Sequence, residues 1–210
     1  MKNQNIIVLD LEATCDEPQF EREKAEIIEI GACLVDADLK VISQFQTYVR
    51  PVVYPTLSAF CTKLTTIKQQ DVDSAPGFSE AIRKFEVWIA ECQEEYGAIE
   101  AWGSWGAYDR KQFERQALLM DVPSPAFLSI RHINFKERYA KAVGIKKRGV
   151  GLGKALSYEN MAFGGVQHRG IDDALNIARL LPVALGILES IWSDRPTNKT
   201  TGSALRGVRP

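Results

Sequence analysis

Histidine is scarce in this chain: His132 and His168 are the two in 210 residues. That excludes a histidine-rich metal centre. Cysteine is also sparse, with Cys15, Cys33, Cys61 and Cys92 scattered, no Cys-x-x-Cys pair and no histidine at ligand spacing. The pattern excludes a zinc site or a disulfide framework, and the thiols read as reduced core or site-wall residues of a cytoplasmic protein. No apolar run is long enough to cross a bilayer, and the opening Met-Lys-Asn-Gln-Asn carries no signal-peptide pattern, so no membrane association is expected. Charge of one sign is missing too. The 26 basic and 27 acidic side chains leave a formal net charge of −1, so any attraction to nucleic acid must come from a local basic patch.

What remains is an ordinary globular composition, 45% hydrophobic and 25% charged, at a length suited to one α/β domain. The apolar run Ile6–Leu9 reads as a buried strand. Glu26–Asp36 and Val41–Val49, joined by a short turn, read as two more strands in antiparallel pairing. Short helical turns are expected over Ser58–Val72 and a longer helix over Gly77–Tyr96, with Phe78, Ile82, Phe85 and Ile89 on one face. Strand and helix then alternate: Ala98–Trp102, Asp109–Met120, a short strand over Phe127–Ile133, helical pieces over Asn134–Val143 and Leu152–Tyr158, and a last helix over Ile171–Trp192 kinked or interrupted at Pro182. The sum is a mixed sheet of about five strands flanked by helices, in a domain spanning 1–193. Residues 194–210 are polar, lack apolar periodicity and read as a disordered tail.

Asp10-Leu11-Glu12 closes the first strand. Side chains alternate along a strand, so the two carboxylates share a face, an arrangement most readily tolerated around a divalent cation. A strand simply reaching solvent would look the same. Two further acids change the weight of that pair. Asp109 heads a helical stripe with Phe113, Ala117 and Met120. Asp173 heads another with Ala174, Ile177, Ala178 and Leu181, whereas Asp172 falls with Asn176 and Arg179 on the outward face. Helical phase therefore selects Asp173 as the inward carboxylate and leaves Asp172 a capping role. His168 lies just upstream in a glycine-rich loop, placed to titrate near neutral pH as a general base must. His132 has no carboxylate partner in sequence and reads as structural.

Asp10-Leu11-Glu12-Ala13-Thr14-Cys15, Ser104-Trp105-Gly106-Ala107-Tyr108-Asp109 and His168-Arg169-Gly170-Ile171-Asp172-Asp173-Ala174 resemble, in order, the three motifs of the DEDDh exonuclease superfamily. With Tyr48–Pro51 and Pro55–Phe78 they resemble more closely its Eri-like 3′-5′ exoribonuclease branch, including bacterial KapD-like members. The match spans roughly residues 5 to 190. Thr66 departs from the branch, which commonly has glycine after Leu-Thr. The resemblance implies an RNase H-like fold. It implies two divalent ions, Mg²⁺ or Mn²⁺, held by Asp10, Glu12, Asp109 and Asp173, with His168 deprotonating the attacking water. It further implies release of nucleoside 5′-monophosphates from the 3′ end of single-stranded or structured RNA. The same five residues would serve a 3′-5′ exonuclease acting on DNA or on both nucleic acids. A catalytically idle binding module would be expected to have lost a ligand, and none is missing.

For gripping the terminal nucleotide, Leu11, Phe60 and Trp105 are candidates to pack the base, with Ala13 and Thr14 beside them. Lys146, Lys147, Arg148, Lys154 and Arg169 form a basic segment suited to phosphates. Gly149-Val150-Gly151-Leu152-Gly153-Lys154-Ala155 mimics a phosphate loop, but Arg148 stands where that motif needs its first glycine and Ala155 where it needs Ser or Thr. It is not a nucleoside-triphosphate site.

Overall fold

Alternation along the first strand decides how the molecule is layered. In the computed structural model, which describes residues 5–16, 21–145 and 149–190, strand β1 runs Asn5–Ala13. Ile7, Leu9 and Leu11 face one hydrophobic core while Val8 faces another. Asp10 and Glu12 therefore share the Val8 face. Strand β2 (Ile27–Val35) and strand β3 (Val41–Tyr48) continue antiparallel on one side of β1. On the other side, β4 (Ile99–Ser104) and β5 (His132–Asn134) lie parallel, giving the order β3-β2-β1-β4-β5.

Helices α1 (Ala59–Thr65), α2 (Gln69–Asp73) and α3 (Phe78–Tyr96) follow the meander. The expected face of α3 is buried, with Phe85 and Trp88 meeting Phe45 of β3 at ring separations of 5.1 and 5.6 Å. Helix α4 (Tyr108–Leu119) adds Phe113 and Ala117 to the same core. On the opposite face, α7 (Gly170–Ala184) packs Ala174, Ile177, Ala178 and Leu181 against Val8, Cys33 and Ala101. Helices α5 (Phe135–Ala142) and α6 (Leu152–Tyr158) close a smaller cluster around Tyr139 and Leu180.

Helix α7 reaches the sheet only because two glycines meet there. A Cβ on Gly31 would lie 2.0 Å from the backbone carbon of Gly170, and one on Gly170 would lie 3.0 Å from the nitrogen of Gly31. Gly31 is the register partner of Asp10, so this contact brings the start of α7 to the acidic end of β1.

Three expectations are corrected. Phe127–Ile133 is not one strand: Ala126–Ser129 is a 3-10 turn and pairing begins at His132. Phe127 and Leu128 are buried there, Phe127 edge-on to Phe85, Trp102 and Phe113, and a short apolar run cannot by itself distinguish these conformations. The last helix continues through Pro182 and ends at Ala184, where Gly186 turns the chain at φ 72° and the N–H groups of Gly186 and Ile187 bond back to the carbonyls of Val183 and Pro182 at 2.9 Å. Asn176, read as outward, is buried, because the loop at Gly164 folds over it and exchanges two hydrogen bonds of 3.0 and 2.7 Å. Residues 194–210 lie outside the described part. No described helix is long and apolar enough to cross a membrane.

Candidate active site

Strand β1 extends through its acidic pair instead of ending before it. Carboxylate oxygens of Asp10, Glu12 and Asp173 lie within 4.8 Å of one another. Asp109, 4% exposed at the start of α4, stands beside this trio and accepts a hydrogen bond from the backbone N–H of Leu11 at 3.2 Å. Asp173 accepts one from the N–H of Arg169 at 3.1 Å, in the first turn of α7. The helical-phase argument is met at this point: Asp173 is 8% exposed and turned to the cluster, while Asp172 accepts from the N–H of Val166 at 2.8 Å and ties down the preceding loop.

Electrostatics show what this packing costs. Burial, and then repulsion by Asp109, Asp173 and Glu12, push the Asp10 carboxyl well above the ordinary carboxylate range. Burial followed by Asp173 and Glu29 lifts Glu12 to about 9. Burial raises Asp109 and Asp173 to about 6 each, against hydrogen bonds that favour their anions. Hard oxygen donors converging this closely, each resisting ionisation, fit a divalent cation, which would neutralise all of them together.

Asp10, Glu12, Asp109, Asp173, His168, Leu11 and Trp105 line one cleft of 450 Å³, within the range of small-ligand sites. His168 adopts a left-handed backbone at φ 63°, uncommon outside glycine. Trp105 is held at the rim by an indole N–H bond of 2.9 Å to the carbonyl of Val150 and by its ring contact with Tyr139. Sequence reasoning did not single out Tyr108, Gly151, Leu152, Gly153 or Gln167, which also line the cleft together with Lys154. The false phosphate loop thus lies at the cleft after all, as part of its wall. Only adjacency to the motifs could have signalled these residues.

Other candidates stand apart from that wall. Phe60 is 40% exposed on α1 and outside the cleft lining. The Thr14 side chain is buried and accepts from the N–H of Glu26 at 2.9 Å. Ala13 is half-buried, and its carbonyl faces the Cys61 thiol at 3.8 Å. The Arg169 guanidinium turns to Glu29 instead of the cleft, with Nε 3.1 Å from Oε2. Lys146, Lys147 and Arg148 lie outside the described residues. His132 is not among the cleft's lining residues; it packs on Trp102 at 4.2 Å between ring centres and lies 3.3 Å from the Ser104 hydroxyl, which also hydrogen-bonds Asp109, and burial lowers its pKa. All four cysteines are free; Cys33, Cys61 and Cys92 are buried, and the Cys15 and Cys61 thiols hydrogen-bond to each other.

A sequence profile described as Exonuclease matches residues 7–181. The chain belongs to this exonuclease family. Within it, the chain is 34% identical over 180 residues to ERI1 exoribonuclease 3 of Homo sapiens, covering 83% of this chain and 52% of that protein. It is 33% identical over 210 residues to 3′-5′ exoribonuclease 1 of Mus musculus, covering 97% and 58%. The exonuclease chain thus spans a little over half the length of these curated relatives. Among solved structures it resembles the nuclease domain of 3′hExo, a DEDDh family member bound to rAMP, with a TM-score of 0.80 and 30% identity over 88% of this chain and 92% of that one. The five-stranded sheet is accordingly that of the RNase H-like DEDDh exonucleases.

Proposed function

We propose that this chain is a metal-dependent 3′-5′ exoribonuclease. The observation that carries the reading is the convergence of Asp10, Glu12 and Asp173 within 4.8 Å, on a cleft that also holds Asp109 and His168. Two divalent ions, Mg²⁺ or Mn²⁺, held by Asp10, Glu12, Asp109 and Asp173, would supply charge stabilisation for the attacking and leaving oxygens. His168 accepts the proton of the attacking water as its oxygen bonds to phosphorus. The bond to the 3′ oxygen breaks, leaving a nucleoside 5′-monophosphate and an RNA shortened by one residue, whose new 3′ hydroxyl takes its proton from solvent.

Leu11 and Trp105, both in the cleft lining, flank the terminal base. Lys154, in the cleft lining, meets the phosphates. Four free thiols suit work in a reducing compartment such as the cytoplasm.

The test is degradation of matched 5′-labelled single-stranded RNA and DNA, with Mg²⁺ or Mn²⁺ and with EDTA. A metal-dependent ladder on RNA, shortening from the 3′ end, is expected. Equal ladders on both substrates would replace the reading with a general 3′-5′ exonuclease, and intact oligomers in every lane would replace it with a binding module.

A further inference from the structure

Glu29 stands in the middle of an otherwise apolar strand and is fully buried. A carboxylate so placed needs partners, and three of the four hydrogen bonds it accepts come from the two residues that follow His168. Oε2 accepts from the N–H of Gly170, the first residue of α7, at 3.0 Å and from Arg169 Nε at 3.1 Å. Oε1 accepts from Arg169 Nη2 at 3.4 Å and from Gln46 at 2.5 Å. Arg169 is further fixed by donating to the Tyr48 hydroxyl and by lying over the Tyr48 ring, 5.4 Å from its centre. Two consecutive residues, immediately after His168, are therefore bolted to β2. His168 itself keeps a left-handed backbone, a conformation that persists only where the surroundings enforce it.

We infer that Glu29 and Arg169 are a positioning pair that fixes the His168 loop and the first turn of α7 against the sheet. Arg169, a basic residue beside the proposed general base, thereby serves the site from behind and does not grip RNA phosphates. This rests on the exoribonuclease reading for its kinetic consequence, but not for its structural one.

The experiment compares the wild-type protein with Glu29→Gln, Arg169→Met, Arg169→Lys and the Glu29→Gln/Arg169→Met double variant. Steady-state RNA degradation and amide hydrogen exchange over residues 164–173 are measured on each. Glu29→Gln is expected to lower kcat roughly 10- to 100-fold, the scale of a misplaced catalytic group, with KM for RNA within about twofold. Arg169→Met should match it, Arg169→Lys should recover part of the loss, and the double variant should be no worse than Glu29→Gln. Exchange over 164–173 should accelerate in Glu29→Gln while β1 stays protected. An Arg169→Met variant that raises KM with kcat intact would overturn the pair in favour of direct phosphate contact. Unchanged exchange in Glu29→Gln would overturn it whether or not the wild type degrades RNA, whereas a wild type without nuclease activity but with accelerated exchange in the variant would sink only the exoribonuclease reading.

Discussion

Gly31 and Gly170 touch backbone to backbone, and that contact sets the distance between Asp10 and Asp173. A methyl group on Gly31 would overlap the Gly170 carbonyl carbon at 2.0 Å, with no side chain to swing aside. Gly31→Ala is therefore expected to destabilise the protein by about 3 kcal/mol or more, since overpacking against backbone lies at the upper end of such costs. Gly170→Ala, with its nearest atom at 3.0 Å, should cost less. Urea unfolding midpoints of the two variants check the ranking.

Crowding of the carboxylates predicts a pH dependence for the metal-free protein. Folded-state pKa values above the unfolded ones mean that the native state binds more protons, so stability falls as pH rises. For Glu12 the loss runs from about its ordinary 4.5 up to about 9, and Asp109 and Asp173 add to it up to about 6. Melting in EDTA should therefore drop between pH 5 and 9, and added Mg²⁺ or Mn²⁺ should reverse the drop. Asp10→Ala should abolish nuclease activity yet raise the metal-free melting temperature at pH 8, by roughly 2–4 °C for each kcal/mol relieved. A variant that keeps near wild-type turnover would remove Asp10 from the ligand set.

Neighbouring acids on α7 should behave very differently. Asp173→Asn is expected to be severe for turnover, while Asp172→Asn, which weakens the bond to the Val166 N–H and removes a charge near Arg169 and Asp173, should be mild. His168→Ala should lower kcat roughly 10²–10⁴-fold, the range for loss of a general base, with smaller changes in affinity. Single-turnover rates on a labelled RNA decide all three, and an inverted order of Asp172 and Asp173 would refute the helical-phase assignment.

Thr66 ends α1 in the left-handed region at φ 62°, with its N–H bonded to the carbonyl of Thr62. A β-branched residue pays there what glycine does not. Thr66→Gly should stabilise the protein by about 0.5–1 kcal/mol, the relief of left-handed strain less the greater freedom of glycine in the unfolded chain. A denaturant titration showing destabilisation would mean that the threonine side chain is held by contacts stronger than the strain.

The parts legible in the sequence were those written in local periodicity. Alternation along β1 put Asp10 and Glu12 on one face, and the 3.6-residue period of α7 separated Asp173 from Asp172. The resemblance supplied the order of the motifs and, with it, the expectation of a shared site. What sequence reading left out depends on contacts between distant segments. The charge of Glu29 was visible inside Ile27-Ile28-Glu29-Ile30, but its partner is 140 positions away. The direction taken by Arg169 follows from that partner and not from its basic neighbours. The glycine contact likewise has no local signature, because Gly31 sits in a strand that would read the same with alanine. Phe127–Ile133 was misread because a run so short satisfies both strand and turn until the aromatic core around it is known.

The Leu11 amide and the Asp109 carboxylate that it meets are separated by 98 positions, and α7 closes the cluster from the far end of the domain. No contiguous fragment of the chain therefore carries the site. A ribosome must finish α7, and that helix must dock, before any cleaving centre exists. A truncation that stops before Gly170 therefore lacks Asp173 and the helix that presents it, and in refolding the complete carboxylate cluster should form no earlier than α7 docks on the sheet.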